Sequence, residues 1–134
     1  MDIKIIDLQT HGDDRGSLVA IEEQVNIPFT IKRVYYIFDT LEGVRRGFHA
    51  HKDLKQVAIV LKGSCKFLLD NGKEKTEVLL NNPAKGLCIE SMIWREMFDF
   101  SPDCILMVLA NNHYDEADYI REYSEFIRVA NSAT

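Results

Sequence analysis

Short apolar-rich runs of the β type, separated by polar turns, recur along this 134-residue chain. They cover Ile3 to Leu8, Gly16 to Glu22, Ile31 to Phe38, Gln56 to Lys62, Ser64 to Asp70, Lys75 to Leu80, Gly86 to Ile89, Met92 to Phe98 and Cys104 to Ala110. Asp70-Asn71-Gly72 is a hairpin turn signal between two of these runs, and Lys62-Gly63 marks a second tight turn or bulge. The three prolines, Pro28, Pro83 and Pro102, fall between the runs. Strands every ~8–12 residues with turns between them predict an all-β sandwich or barrel. The C-terminal stretch breaks the pattern. Tyr114 to Tyr123 has acids in front and Arg121 behind, the charge order that suits a helix dipole. A short helix is expected there, capped by Asp115 or Asn112, with a second helical turn near Ser124 to Val129.

Hydrophobic residues are 46% of the chain and charged residues 28%, which excludes disorder as the main state. The length fits a single domain over residues 1–134. No apolar run approaches the ~18 residues of a membrane helix. The first residues lack the apolar core of a secretory signal, so a cytoplasmic location is expected. Cys65, Cys88 and Cys104 are widely spaced, with no C-x-x-C pair, and read as reduced thiols buried in strands.

The net charge of −5 argues against broad nucleic-acid binding. It hides an asymmetry: between Ile31 and Lys62 seven basic residues stand against three acids. A basic island on an acidic protein suits a small anionic ligand.

Chemistry concentrates in Gly43 to Gly63. His49 and His51 are two apart, so on a strand they share a face, with Gln56 entering the next strand. Paired imidazoles can bind a metal or divide proton-transfer work. Gly43, His49, His51, position 56 and Gly63 fall in register with the first cupin motif, G-x5-H-x-H-x4-E-x6-G, except that position 56 is Gln. The second cupin motif would lie in Gly86 to Ser101, where there is no histidine, and Met97 stands about where the family puts its ligand. Two imidazoles and a neutral amide make a poor divalent-metal site, so no metal is expected. Asp14-Arg15-Gly16 and Arg46-Gly47-Phe48-His49 resemble the D-x-R-G and R-G-x-H elements of jelly-roll deoxysugar nucleotide epimerases, the first one residue short. The planar guanidinium of arginine suits a diphosphate.

A closer resemblance covers about Ile5 to Phe126. It is carried by Asp14-Arg-Gly-Ser-Leu, Ile27-Pro-Phe-Thr-Ile-Lys-Arg-Val-Tyr-Tyr-Ile, Arg46-Gly-Phe-His-Ala-His, Trp94-Arg-Glu-Met-Phe-Asp-Phe and Tyr114-Asp-Glu-Ala-Asp-Tyr-Ile-Arg. These segments resemble the WxcM-like sugar 3,4-ketoisomerases of the cupin superfamily. The resemblance implies a cupin-type jelly roll (double-stranded β-helix) with a short C-terminal helix, and a homodimer with exchanged N-terminal strands. It implies no metal or other cofactor, and no nucleic-acid or membrane partner. The implied substrate is dTDP-4-keto-6-deoxy-D-glucose, whose ketone would move from C4 to C3 in deoxyaminosugar biosynthesis.

A ketone at C4 acidifies the proton at C3, and a histidine near neutral pKa can remove it and return a proton at C4. His51 is the first choice for abstraction at C3, with His49 as proton donor or partner. Tyr35, on one strand face with Arg33, is expected to hydrogen-bond sugar oxygens or relay a proton. Arg15, Arg33 and Arg46 are expected at the diphosphate or sugar. Gln56 is expected to bond substrate or a catalytic histidine, and Trp94 either to wall the site or stack on ligand, or to pack in the core. Glu96 is expected to orient Arg95, while Tyr114 and Tyr119 read as helix-docking residues. Within the resembled family, arginine at 15 with histidine at 95 goes with the galacto product, and tyrosine at 15 with arginine at 95 with the gluco product. This chain pairs Arg15 with Arg95, and the flanking residues lean to galacto. The competing readings are a nucleotide-sugar 3,5-epimerase, a non-catalytic sugar-nucleotide-binding module, and a metallo-cupin.

Overall fold

The apolar runs become strands because each buries one face, or both, against a neighbouring layer. A computed structural model describes residues 1–132. In chain order the strands are β1 (Ile5–Asp7), β2 (Thr10–Asp13), β3 (Gly16–Val19), β4 (Arg33–Ile37), β5 (Arg46–His51), β6 (Gln56–Lys62), β7 (Cys65–Asp70), β8 (Lys75–Leu80), β9 (Lys85–Ile89), β10 (Trp94–Phe98), β11 (Ile105–Ala110) and β12 (Tyr119–Ile120). Among the described residues one α-helix, α1 (Tyr123–Ser132), follows. The ranges of β6 and β8 coincide with the expected runs, β9 begins one residue earlier than expected, and the other expected strands are found with ends trimmed by one to three residues.

Two five-stranded antiparallel sheets face each other as a jelly roll, ordered β1-β9-β6-β11-β4 and β12-β5-β10-β7-β8. Their facing sides enclose the main core, which includes Ala58, Val60, Phe67, Leu69, Leu87 and Leu106. Outside the first sheet, Leu8, Ile27 and Phe29 cover Val57, Ile59 and Leu109. This second layer explains why β6 reads as a continuous apolar run: Val57 to Val60 are buried on both faces. Outside the second sheet, α1 packs Phe126 against Ala50, Trp94 and Ile120.

In the C-terminal region the helix expected near Ser124 to Val129 is found within α1, but the one expected over Tyr114 to Tyr123 is not. Glu116–Asp118 forms one 3-10 turn, with the Asp115 side chain accepting from the Ala117 N–H as its cap. The chain then extends into β12, and the helix begins only at Tyr123. Pairing of Tyr119 with His51 and Ile120 with Ala50 holds this segment extended, which outweighs the helical charge order. A further departure is the hairpin of β2 and β3, which forms a separate two-stranded sheet with all four β2 residues exposed.

Candidate active site

The inward side of the barrel is apolar for most of its depth and polar at one end. Register makes this explicit. Arg33, Ala110, Gln56 and Ile89 form one row across the first sheet, and Tyr35, Val108, Ala58 and Leu87 form the next. The opposing wall comes from β5, β10 and β12.

β5 is bulged. His49 pairs with Arg95, but Gly47 pairs with Glu96, so Phe48 is an extra residue. Gly47 (φ +94°) and Phe48 (φ +57°) both take left-handed backbone. A Cβ on Gly47 would sit 2.8 Å from the Arg95 carbonyl oxygen, so the close approach requires glycine. The bulge changes which side chains meet. Arg46 and His49 are three apart, and an unbroken strand would send them to opposite faces. Here Arg46 pairs with Met97 and His49 with Arg95, and both line the same cavity of about 360 Å³.

A polar chain crosses the barrel. Gln56 Nε2 donates to Tyr35 Oη at 3.1 Å, and Arg95 Nη1 donates to Gln56 Oε1. Arg95 Nε and Nη2 donate to the Ile93 carbonyl at 3.2 and 3.1 Å. A glutamine suits position 56 because it must accept from a guanidinium and donate to a phenol at once. A carboxylate has no proton to donate. Arg95 is buried, and among the described residues it makes no salt bridge. Its charge has no ion-pair partner within contact; burial pushes its pKa down to about 10, against the weaker pull of Tyr35, Tyr119 and Asp118, and it is still charged at neutral pH.

His49 and His51 lie beside it, with ring centroids 4.9 Å apart, and the Tyr119 ring lies 4.9 and 4.4 Å from them. Burial and then the Arg95 charge lower His49 to about 4. Burial, Arg95 and His49 lower His51 well below the usual histidine range, against the opposing pull of Asp118. Both imidazoles are therefore neutral near pH 7, the form a general base needs. Burial raises the Tyr35 hydroxyl, which stays protonated. His49 Nδ1 lies 3.1 Å from the Gly47 carbonyl oxygen, which can only accept, so Nδ1 holds the hydrogen and Nε2 is free as a base. His51 is 1% exposed and lines a second cavity of about 170 Å³.

The family model described as "FdtA: WxcM-like, C-terminal" matches residues 1–131. The chain belongs to the WxcM-like family. It is 56% identical over 126 residues to a TDP-4-oxo-6-deoxy-alpha-D-glucose-3,4-oxoisomerase from Aneurinibacillus thermoaerophilus, covering 94% of this chain and 91% of that one. The WlaRB TDP-quinovose 3,4-ketoisomerase of Campylobacter jejuni is 50% identical, with a TM-score of 0.90 over 95% of this chain and 98% of that one. A mutant of the 3,4-ketoisomerase QdtA from Thermoanaerobacterium thermosaccharolyticum, in complex with TDP-4-keto-6-deoxyglucose, is 45% identical. Its TM-score is 0.95, covering 97% of this chain and 94% of that one.

In this WxcM-like chain the barrel brings together Arg33, Tyr35, Arg46, His49, His51, Gln56 and Arg95. Of the roles open to Trp94 the packing one holds, and the expectation for Glu96 needs correction. Trp94 does not wall the cavity: it faces outward, donates Nε1–H to Glu96 at 2.9 Å, and packs on Tyr123 and Phe126 of α1. Its neighbour Arg95 points inward, as strand alternation demands. Glu96 orients Arg45 and not Arg95, at 2.7 Å. Gln56 bridges Tyr35 and Arg95 and bonds neither histidine, which leaves the substrate contact as the open one of its two expected roles. Arg15 lies on the projecting hairpin, 86% exposed and paired with Asp13. The cavity beside it is lined only by residues 11–18.

Four residues near the site were read from sequence as helix docking or helix charge. Tyr114, Tyr119 and Arg121 line the larger cavity, with Arg121 stacked 4.2 Å over the Tyr119 ring. Asp118 bonds His51 Nδ1 at 3.0 Å. The signal available was their place in the family-like segment Tyr114 to Arg121; their charge order pointed to a helix instead.

Proposed function

We propose that this chain is a TDP-4-keto-6-deoxyglucose 3,4-ketoisomerase. The observation that carries the reading is the pair of imidazoles, 4.9 Å apart, beside a buried guanidinium that no carboxylate ion-pairs. A base there can remove a weakly acidic C–H proton, and Arg95 offers fixed positive charge to the enediolate that forms. The arginines and tyrosines of the larger cavity, Arg33, Arg46, Arg121, Tyr114 and Tyr119, suit a diphosphate with attached rings.

His49 is the base at C3 in this reading, because it lines the larger cavity, whereas His51 sits behind it. This reverses the order expected from sequence. The C3–H electron pair becomes the C3–C4 double bond as the C4 carbonyl oxygen takes a proton. The enediol then loses the proton on the C3 oxygen as C4 takes one, giving the 3-ketone. Tyr35 and His51 carry the oxygen-bound protons. In the gluco substrate the C3 hydrogen lies on the lower ring face. Both histidines stand on one wall, so a proton returned from that wall reaches C4 from the same face, which gives the galacto product. Tyr35, on the facing wall, would deliver the gluco product.

Arg15 enters this reading through a homodimer with exchanged N-terminal strands. The projecting hairpin, with Leu18 at 59% exposure, supports a second copy as its cover. No helix among the described residues is long and apolar enough to cross a membrane. Three buried free thiols suit a reducing cytoplasm.

Proton NMR of the reaction in water tests the reading. A 3-keto sugar with the small H4–H5 coupling of a galacto ring is expected. A large coupling would reassign the C4 donor to the facing wall. Exchange at C5 without ketone migration would favour an epimerase, and binding without change a non-catalytic module.

A further inference from the structure

We propose that Asp118 is a positioning residue: it fixes the hydrogen of His51 on Nδ1 and leaves Nε2 as a bare acceptor inside the barrel. Asp118 ends the 3-10 turn before β12, and the backbone pairing of Tyr119 with His51 brings its side chain beside the imidazole. Its Oδ2 lies 3.0 Å from His51 Nδ1. The carboxylate cannot rotate away. Oδ1 accepts from the Asp53 N–H at 2.9 Å and Oδ2 from the Leu54 N–H at 3.3 Å, and the Asp118 carbonyl accepts from the Lys52 N–H at 3.0 Å.

A carboxylate already gathering two backbone N–H groups acts as an acceptor, so the contact to Nδ1 requires the hydrogen on the histidine. The other ring nitrogen is consistent with this. His51 Nε2 is buried and has no hydrogen-bond partner among the described residues. An N–H left there would be a stranded donor, while a lone pair is a vacancy for a substrate proton. The Tyr119 ring, 4.4 Å from His51, holds the imidazole plane from the other side.

The inference deepens the ketoisomerase reading and rests on it only for the effect on turnover. The test reads the tautomer directly in the full-length, substrate-free protein. Long-range proton–nitrogen-15 NMR, with His51 signals assigned by their loss in His51→Asn, should show a neutral ring protonated at Nδ1. In Asp118→Ala the ring should move toward the Nε2–H form, with kcat down roughly 10–100-fold, as for other carboxylates that orient an imidazole. KM should stay within about twofold, because Asp118 does not reach the larger cavity. Asp118→Asn, which keeps an acceptor oxygen, should recover part of both. An Nε2–H ring in the unsubstituted protein would overturn the proposal, and so would a loss of kcat with the tautomer unmoved. Should Asp118→Ala fail to fold, the tautomer of the unsubstituted protein still decides. An Nδ1–H ring in a protein that turns over no ketosugar would instead sink the ketoisomerase reading and leave the positioning role standing.

Discussion

Arg95 gives one guanidinium N–H to the side-chain oxygen of Gln56, and that neutral amide takes the place where a carboxylate would cancel its charge. The cation therefore acts on its other neighbours, adding to burial in depressing His49 and His51 and offering its charge to an anion in the barrel.

Gln56→Glu tests this relationship. The new carboxylate would neutralise Arg95 and could no longer donate to Tyr35. We expect kcat to fall by roughly 10²-fold, the scale for losing one transition-state contact. With the Arg95 charge masked, the histidines rise in pKa, so the acid limb of the rate profile moves to higher pH. Rate against pH for both proteins checks the direction.

Acid stability should follow His49. Above pH 6.5, its ordinary value, the imidazole is neutral in the folded and unfolded chains alike. Below 6.5 the unfolded chain binds the proton first, so stability declines as pH falls and levels off only below about 4. The contribution lost is on the order of 3 kcal/mol. Urea unfolding from pH 7 to 4 should show a shallower decline in His49→Asn.

Gly47→Ala should disable the site through the backbone. A Cβ 2.8 Å from the Arg95 carbonyl, at φ +94°, forces β5 away from β10 or straightens the bulge. A loss of roughly 2 kcal/mol or more is expected, together with most activity, since Arg46 and His49 would no longer share a cavity. Phe48→Gly, at the neighbouring left-handed position, should be tolerated within about 1 kcal/mol and stay active. Thermal melts and turnover of the pair separate backbone geometry from side-chain loss.

The proposed homodimer with exchanged strands can be tested by complementation. Arg15→Ala and His49→Asn should each be inactive. If Arg15 serves the partner's cavity, refolding the two together should restore about a quarter of full activity, since half the dimers are mixed and each has one intact site. No recovery in a confirmed dimer would place Arg15 outside the site.

The strands and the shared face of His49 and His51 were legible because alternation and turn residues are local signals. β6 and β8 were bounded correctly from sequence, and the H-x-H pair lands on one inward face. What alternation missed, it missed for physical reasons. The bulge at Gly47-Phe48 is an irregularity of register, visible only once β10 is laid alongside. Trp94 faces outward because α1 covers the outer face of β10, a tertiary fact with no local signature. Asp118 and Tyr119 sit in a segment whose acids read as a helix start. Pairing with β5 pulls it into an extended strand and carries both residues to His51.

The most direct test is the fate of the C3 hydrogen. TDP-4-keto-6-deoxyglucose is held at saturation in D2O with the unsubstituted enzyme or with His49→Asn, and the H3 and H4 proton signals are followed. The unsubstituted enzyme should lose H3 as the 3-keto sugar forms. His49→Asn should bind the nucleotide sugar within a few-fold and slow that loss by about 10²–10⁴, the range for removing a general base. Loss of H3 at an undiminished rate in His49→Asn would contradict the account.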